Sequence, residues 1–388
     1  MKDKMIIDCI FKAKRSKTQY ENMFRILDKA DLLSGDSSVV TEYETSLKEF
    51  FNVKYAIAVS SGTAALHASI TQVINPGDEV LVPAICVPMT ISAVLQAGGI
   101  PVFYDCSRNS FYPELASLEK QTSSSTRALI TVAMWGYSAI NKEIKDYAKK
   151  HKITIIEDAA QAAGTHGKQG YEGTIGDIGC FSTHEFKLIS TGEGGFVLTN
   201  SEQFAKNIQE FTHIGFCAEA KSFGHKNGLN YKLSSFQAAI GIDQLSIIES
   251  KIQERNKKAE QWRENLSSGS ELTFMNSHYD ISHNGYGLCT FLHSNTNLTG
   301  IELARQLNAV GINTDTYRYK NTIVCNYPFL KEFYLTPRYS GRNEIDFPNA
   351  TNLVKRMLVL PCHDQVTDSA IDIASEQILS LLRKNSST

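Results

Sequence analysis

The chain has no apolar run approaching the roughly 18 residues that a membrane-spanning helix requires. Near its start, Met5-Ile6-Ile7 is interrupted by Asp8, too short a patch for a signal-peptide core or a span. Charge of one sign is also missing. The 39 Lys plus Arg against 41 Asp plus Glu leave a formal net charge of -2, with no basic footprint for nucleic acid and no polybasic stretch for a membrane surface. The clusters Lys149-Lys150-His151-Lys152 and Lys257-Lys258 read as solvated helix surface. Eight cysteines are scattered without paired spacing or a Cys-x-x-Cys, which argues against a zinc site or a disulfide framework. Reduced thiols in a cytoplasmic protein are the expectation. Internal repeats, low-complexity tracts and anything resembling an appended DNA-binding region are absent.

What remains is an ordinary globular composition, 42% hydrophobic and 21% charged over 388 residues, long enough for two domains sharing a large core. Short β-branched runs predict strands at Tyr55–Val59, Glu79–Val82, Ile100–Tyr104, Ala128–Ala133, Thr154–Glu157, Ile178–Ser182 and Gly195–Thr199. Helical patterns fall between several of them, at Thr63–Val73, Thr90–Ala97, Lys142–Lys150 and Glu202–Phe211, while Ser123–Thr126 reads as a loop. Such alternation predicts an α/β architecture with a mainly parallel, seven-stranded sheet. A polar helix from Ile247 to Leu266 looks like a connector. The strand Gly287–His293 and the amphipathic helix Thr299–Val310 then suggest a smaller α+β C-terminal domain, giving domains over 1–250 and 251–388.

Three elements point to chemistry. Lys187 lies in Phe181-Ser182-Thr183-His184-Glu185-Phe186-Lys187-Leu188-Ile189-Ser190-Thr191-Gly192-Glu193-Gly194-Gly195, a largely apolar, glycine-rich stretch. Desolvation disfavours a lysine's charged form, and a neutral amine can add to a carbonyl to form a Schiff base. Asp158 ends the buried run Ile153-Thr154-Ile155-Ile156-Glu157-Asp158, and ligands of parallel sheets sit beyond the carboxyl ends of strands. A carboxylate there can keep a pyridine nitrogen protonated. Ser60-Ser61-Gly62-Thr63 breaks an apolar strand just before a helix, where backbone N–H groups favour a phosphate. Each also has a plain reading, as a surface charge, a turn aspartate and a strand-turn-helix junction.

Taken in order, Ser61-Gly62-Thr63-Ala64-Ala65-Leu66-His67, Asn75-Pro76-Gly77-Asp78-Glu79-Val80, Glu157-Asp158-Ala159-Ala160-Gln161, Gly176-Asp177-Ile178-Gly179-Cys180-Phe181-Ser182 and Lys187 through Gly195 resemble the DegT/StrS-type sugar aminotransferases. Asn230-Tyr231-Lys232-Leu233, Gln237-Ala238-Ala239-Ile240-Gly241, Phe347-Pro348-Asn349-Ala350 and Leu358-Val359-Leu360-Pro361 continue the likeness. The resemblance implies a fold-type-I pyridoxal 5'-phosphate enzyme. Lys187 would bind the cofactor covalently and Asp158 would face its ring nitrogen. Gly62, Thr63 and Ser182 would hold its phosphate, and Gln161 would approach its phenolic oxygen. Asn230 would reach the phosphate in the partner subunit, which implies a homodimer with shared active sites. His184 falls on the family's loop histidine, and with Arg318 it is a substrate-side candidate.

Two positions depart from the family pattern. Where most relatives stack an aromatic ring on the cofactor, this chain has Val87, so apolar contact from Val87 or Cys86 is the expected substitute. Asp315 follows Thr314 where many relatives carry arginine, which leaves the acceptor open; Tyr317–Pro337 and Leu33–Ser38 are the segments expected to decide it. The implied reaction moves an amino group from glutamate or glutamine to a keto-sugar, nucleotide-linked, or to a keto-cyclitol. Lys187 would act as the general base and acid. The alternatives are a sugar dehydratase of the same fold, whose members have histidine where Lys187 stands, and a catalytically inactive cofactor-binding regulatory protein.

Overall fold

The computed structural model describes residues 5–11, 15–224, 226–267, 269, 271–275, 281–293, 296–316, 322–330 and 347–385. After α1 (Lys17–Leu27) and α2 (Ser38–Phe51), the chain alternates through β1 (Tyr55–Val59), α3 (Gly62–Ile70), β2 (Glu79–Pro83), α4 (Pro88–Gln96), β3 (Ile100–Tyr104), α5 (Leu115–Gln121), β4 (Thr126–Val132), α6 (Lys142–His151) and β5 (Thr154–Asp158). The short β6 (His166–Gly167) and β7 (Gly170–Tyr171) precede β8 (Ile178–Ser182), β9 (Gly195–Thr199), α7 (Glu202–Thr212), α8 (Ser235–Ser246) and α9 (Ile248–Leu266). The C-terminal part holds β10 (Leu272–Phe274), β11 (Ile281–Ser282), β12 (Leu288–Leu292), α10 (Gly300–Ala309), α11 (Pro348–Arg356), β13 (Met357–Leu360) and α12 (Asp368–Asn385).

Seven strands form one sheet in the order β1-β9-β8-β5-β4-β2-β3. Neighbours from β8 to β3 run parallel, whereas β9 is antiparallel to both β8 and β1. Every strand but β9 therefore delivers its carboxyl end to one edge. Residues Glu79–Pro83 of β2 and Gly195–Thr199 of β9 are buried throughout, as strands covered on both faces must be. The strands expected for this sheet are all present: β1, β3, β8 and β9 have the expected bounds, while β2, β4 and β5 have shifted ends. Thr126, read as loop, opens β4, and α4 starts at Pro88 because the missing proline N–H costs nothing in a first helical turn. Helix α3 stops at Ile70, three residues short of the expected end.

A second sheet, β10-β12-β13, is packed by α9, α10 and α12 around Trp262, Leu303, Ile371 and Ile378. Another cluster runs without a break from Val82 and Ile130 of the large sheet to Phe291 and Val359 of the small one, so the two sheets share a core. Helix α9 is more than a polar connector. Trp262 is fully buried and donates from Nε1 to the Pro361 carbonyl at 3.0 Å. Lys258, read as solvated, is buried, with Nζ 3.2 Å from Glu254 and 3.5 Å from Asp368 at the start of α12. That helix covers the face of α9 that its charge suggested was wet.

Candidate active site

At the carboxyl end of β1, Ser61 caps α3 by accepting the Ala64 N–H on its hydroxyl at 3.0 Å. A Cβ on residue 62 would approach the Ser182 Cβ to 2.8 Å, so glycine is what lets the helix start sit directly on the end of β8. The N–H groups of Gly62 and Thr63 precede the first intrahelical hydrogen bonds. Together with the Thr63 and Ser182 hydroxyls they form an N-terminal cradle suited to a phosphate.

Asp158, the last residue of β5, is buried. Its Oδ2 accepts the Thr90 hydroxyl at 2.7 Å, and its Oδ1 accepts the Ala160 N–H at 3.2 Å. Burial raises its pKa, while the Thr90 and Ala160 hydrogen bonds and the nearby positive charge of Lys187 pull the other way.

Lys187 sits in the loop between β8 and β9, half-buried. The loop is braced from several sides. Thr183 N–H donates to Gly194 and Thr191 N–H to Thr183, each at 2.8 Å, and Lys251 Nζ donates to the Leu188 carbonyl at 3.2 Å. Lys187 Nζ lies 3.4 Å from the Tyr286 hydroxyl and 5.3 Å from that ring's centre.

These groups line one cavity of about 340 Å³ that includes Gly62, Thr63, Val87, Asp158, Gln161, Ser182, His184 and Lys187. The Gln161 Oε1 accepts the Trp135 N–H at 2.6 Å, which leaves its Nε2 as the donor for the cavity. His184 accepts the Phe186 N–H on Nδ1 at 3.3 Å and brings Nε2 to 3.7 Å from Glu193. Three of the residues singled out in the sequence are not found at this cavity. Cys86 is buried in the core rather than lining the cavity, whereas Val87 lines it. Asn230 is exposed and forms a backbone bridge with His213, outside this cavity. Arg318 lies outside the described residues. Sequence reasoning missed Thr90 and Tyr286, together with Met89, Phe186 and Glu193 at the cavity wall. Neither Thr90 nor Tyr286 stands in a motif; both arrive through tertiary packing. Among the described residues, no helix is long and apolar enough to cross a membrane.

A phosphate cradle at a helix start, a buried acid and a half-buried amine around one cavity define an enzyme site shaped for a phosphorylated aromatic cofactor. Comparison with known proteins is specific. The sequence profile of the DegT/DnrJ/EryC1/StrS aminotransferase family matches residues 14–378, and the chain belongs to that family. It is similar to the GDP-perosamine synthase of Caulobacter vibrioides, 27% identical over 352 residues covering 89% of this chain and 92% of that protein. It also resembles the GDP-perosamine synthase of Escherichia coli O157:H7, 31% identical over 237 residues, or 61% of this chain and 65% of that one. The fold matches the aminotransferase from Psychrobacter cryohalolentis with a TM-score of 0.86 at 23% identity, covering 97% and 99% of the two chains. The protein is an aminotransferase, and its cofactor is pyridoxal phosphate. The cradle, the buried acid and the amine all fit that group.

Proposed function

We propose that this enzyme transfers an amino group from glutamate or glutamine to a nucleotide-linked keto-sugar, with Lys187 and Asp158 as its catalytic residues. The observation that carries this reading is that the Lys187 amine and the buried Asp158 carboxylate face one cavity whose wall is the start of α3. The acceptor class rests on the relatives, two of which are GDP-perosamine synthases. A keto-cyclitol is the other acceptor to screen.

When bound, pyridoxal phosphate supplies an electron-withdrawing ring that makes a proton on the amino-bearing carbon acidic. In this reading Gly62, Thr63 and Ser182 hold its phosphate through hydrogen bonds at the helix start. Asp158 holds a proton at the ring nitrogen, and a cation there favours the ionised carboxylate against the cost of burial. Gln161 donates from Nε2 to orient the ring, and Val87 packs on it. Lys187 Nζ would take the proton from the donor carbon and deliver it to the cofactor carbon, a general base and acid in one group. His184 and Arg318 are assigned to the substrate side. Asn230, exposed and outside its own cavity, is assigned to the site of a partner subunit, which makes the active species a homodimer. A large cofactor-binding unit over 1–250 and a smaller one over 251–388 meet within α9.

The test is spectroscopic. The cofactor-loaded protein should lose its visible band on adding glutamate or glutamine, and a keto-sugar nucleotide should restore it. A band indifferent to every amine would point to the regulatory role instead. Lys187→Ala should keep some cofactor non-covalently and lose turnover by several orders of magnitude; substantial activity in that variant would refute the assignment. Lysine at 187 disfavours the dehydratase alternative, which uses histidine there.

A further inference from the structure

We propose that Tyr286 is a catalytic partner of Lys187, and that Asn284 is the positioning residue that places it. The proposal rests on the assignment of Lys187 as the reactive amine and adds what the C-terminal part of the chain contributes to it.

Tyr286 lines the same cavity as Lys187, with its hydroxyl 3.4 Å from Nζ and its ring centre 5.3 Å away. A phenol can donate to a neutral amine or accept from an ammonium, and a ring within about 6 Å attracts the cation. Both forms of the lysine therefore have a partner at one place. An amine that must leave the cofactor and come back as a proton carrier gains from being held within reach of the reacting carbon.

Tyr286 belongs to Ser282-His283-Asn284-Gly285-Tyr286, between β11 and β12, and this segment is locked onto the wall of the large sheet. Asn284 is fully buried, and both of its amide donors are used. Nδ2 donates to the Gln161 carbonyl at 2.9 Å and the Ala163 carbonyl at 3.0 Å, while Oδ1 accepts the Tyr286 N–H at 3.0 Å. One side chain thus ties the Tyr286 backbone to the turn that carries Gln161.

His283 adds a second tie. Its Nδ1 accepts the Gly285 N–H at 3.0 Å, so Nε2 carries the proton and donates to the Trp135 carbonyl at 3.0 Å. Desolvation pushes its pKa down to about 4, which keeps this tautomer neutral. Trp135 is the residue whose N–H fixes Gln161, and its φ of 51° is unusual for a bulky side chain. The next residue, Gly136 at φ 87°, is where Asn284 Oδ1 would collide with any Cβ. The wall is shaped around the asparagine.

The experiment compares the cofactor-loaded wild type with Tyr286→Phe, which keeps the ring and removes the hydroxyl. In the donor half-reaction kcat should fall about tenfold or more while KM for the donor stays within about twofold. The visible band of the bound cofactor, titrated against pH, should shift its midpoint by about 0.5 unit or more, since it reads the proton affinity of the lysine nitrogen. An unchanged midpoint overturns the proposal whatever happens to the rate. Asn284→Ala should move the same midpoint if it folds, and a wild-type midpoint in folded Asn284→Ala removes Asn284 from its role. Should that variant not fold, Tyr286→Phe decides alone. Lys187→Ala serves as the control. If it abolishes turnover and the pH titration of the band while Tyr286→Phe behaves as wild type, only Tyr286 is lost; if it turns over, both assignments go.

Discussion

At the scale of single residues, the charge on Asp158 depends on its neighbours rather than on its own chemistry. Burial favours the protonated acid, and the Thr90 hydroxyl at 2.7 Å with the Ala160 N–H at 3.2 Å opposes that. Replacing Thr90 with valine keeps the shape and removes the stronger of these bonds. The expected result is a loss of about 1–3 kcal/mol in urea denaturation of the cofactor-free protein, and weaker retention of pyridoxal phosphate in equilibrium dialysis. Unchanged retention would mean that Thr90 does not govern the ionisation of Asp158. In the sequence Thr90 is one threonine in an apolar helix, and only the packing of α4 across the end of β5 brings it to the acid.

At the scale of elements, β5 shows how strand alternation divides neighbouring carboxylates. Asp158 meets Thr90 and the cavity, whereas Glu157 accepts N–H groups from Gly173 and Ile175 at 2.8 Å and from Gly176 at 2.5 Å, which pins the loop before β8. Glu157 forms a buried pair with Glu172, and burial raises its carboxyl to about 7 despite those three donors. Burial, with Glu157 nearby, pushes the Glu172 carboxyl up to about 8 from 4.5. A carboxyl whose pKa is higher folded than unfolded adds stability that is complete below the unfolded value and disappears as pH rises through the folded one. Stability of the cofactor-free protein should therefore decline from about pH 4.5 to about pH 8, with Glu157 contributing up to about 7 and Glu172 carrying the decline furthest. Glu172→Gln should flatten that decline and raise Tm at pH 8 by about 2–4 °C or more in calorimetry; a decline as steep as in wild type would exclude Glu172 as its source.

For the whole molecule, the proposed homodimer has a surface to answer for. Leu33, Ile214, Phe223, Leu229 and Phe236 are exposed, between 39% and 64%, in the arm before α2 and in the segment around Asn230. The two regions adjoin, since Ser235 N–H donates to the Leu33 carbonyl at 3.2 Å and Lys232 Nζ lies 3.1 Å from Asp36. Sedimentation should give a dimer, and Phe236→Asp should weaken it. Because Asn230 is assigned to the partner's cofactor, dissociation should release pyridoxal phosphate along with activity. A fully active monomer under assay conditions would contradict both assignments.

Local chemistry was enough to read the alternating elements and the seven-stranded sheet, and to single out Lys187, Asp158 and the start of α3, while the family resemblance carried by motif order implied Gln161, Gly62, Thr63 and Ser182 at the same site. Those features are written in short windows, as hydrophobic period, small residues at a helix start, or motif order. Tertiary structure alone decided that Cys86 turns into the core, that Lys258 is buried beneath α12, that Thr90, three residues past Val87, meets Asp158, and that Asn284 and Tyr286 arrive at a site to which nothing in their own segment points. The reason is range: a contact across 68 or 99 residues, such as Thr90 with Asp158 or Lys187 with Tyr286, leaves no local period, and only the folded chain brings its two halves together.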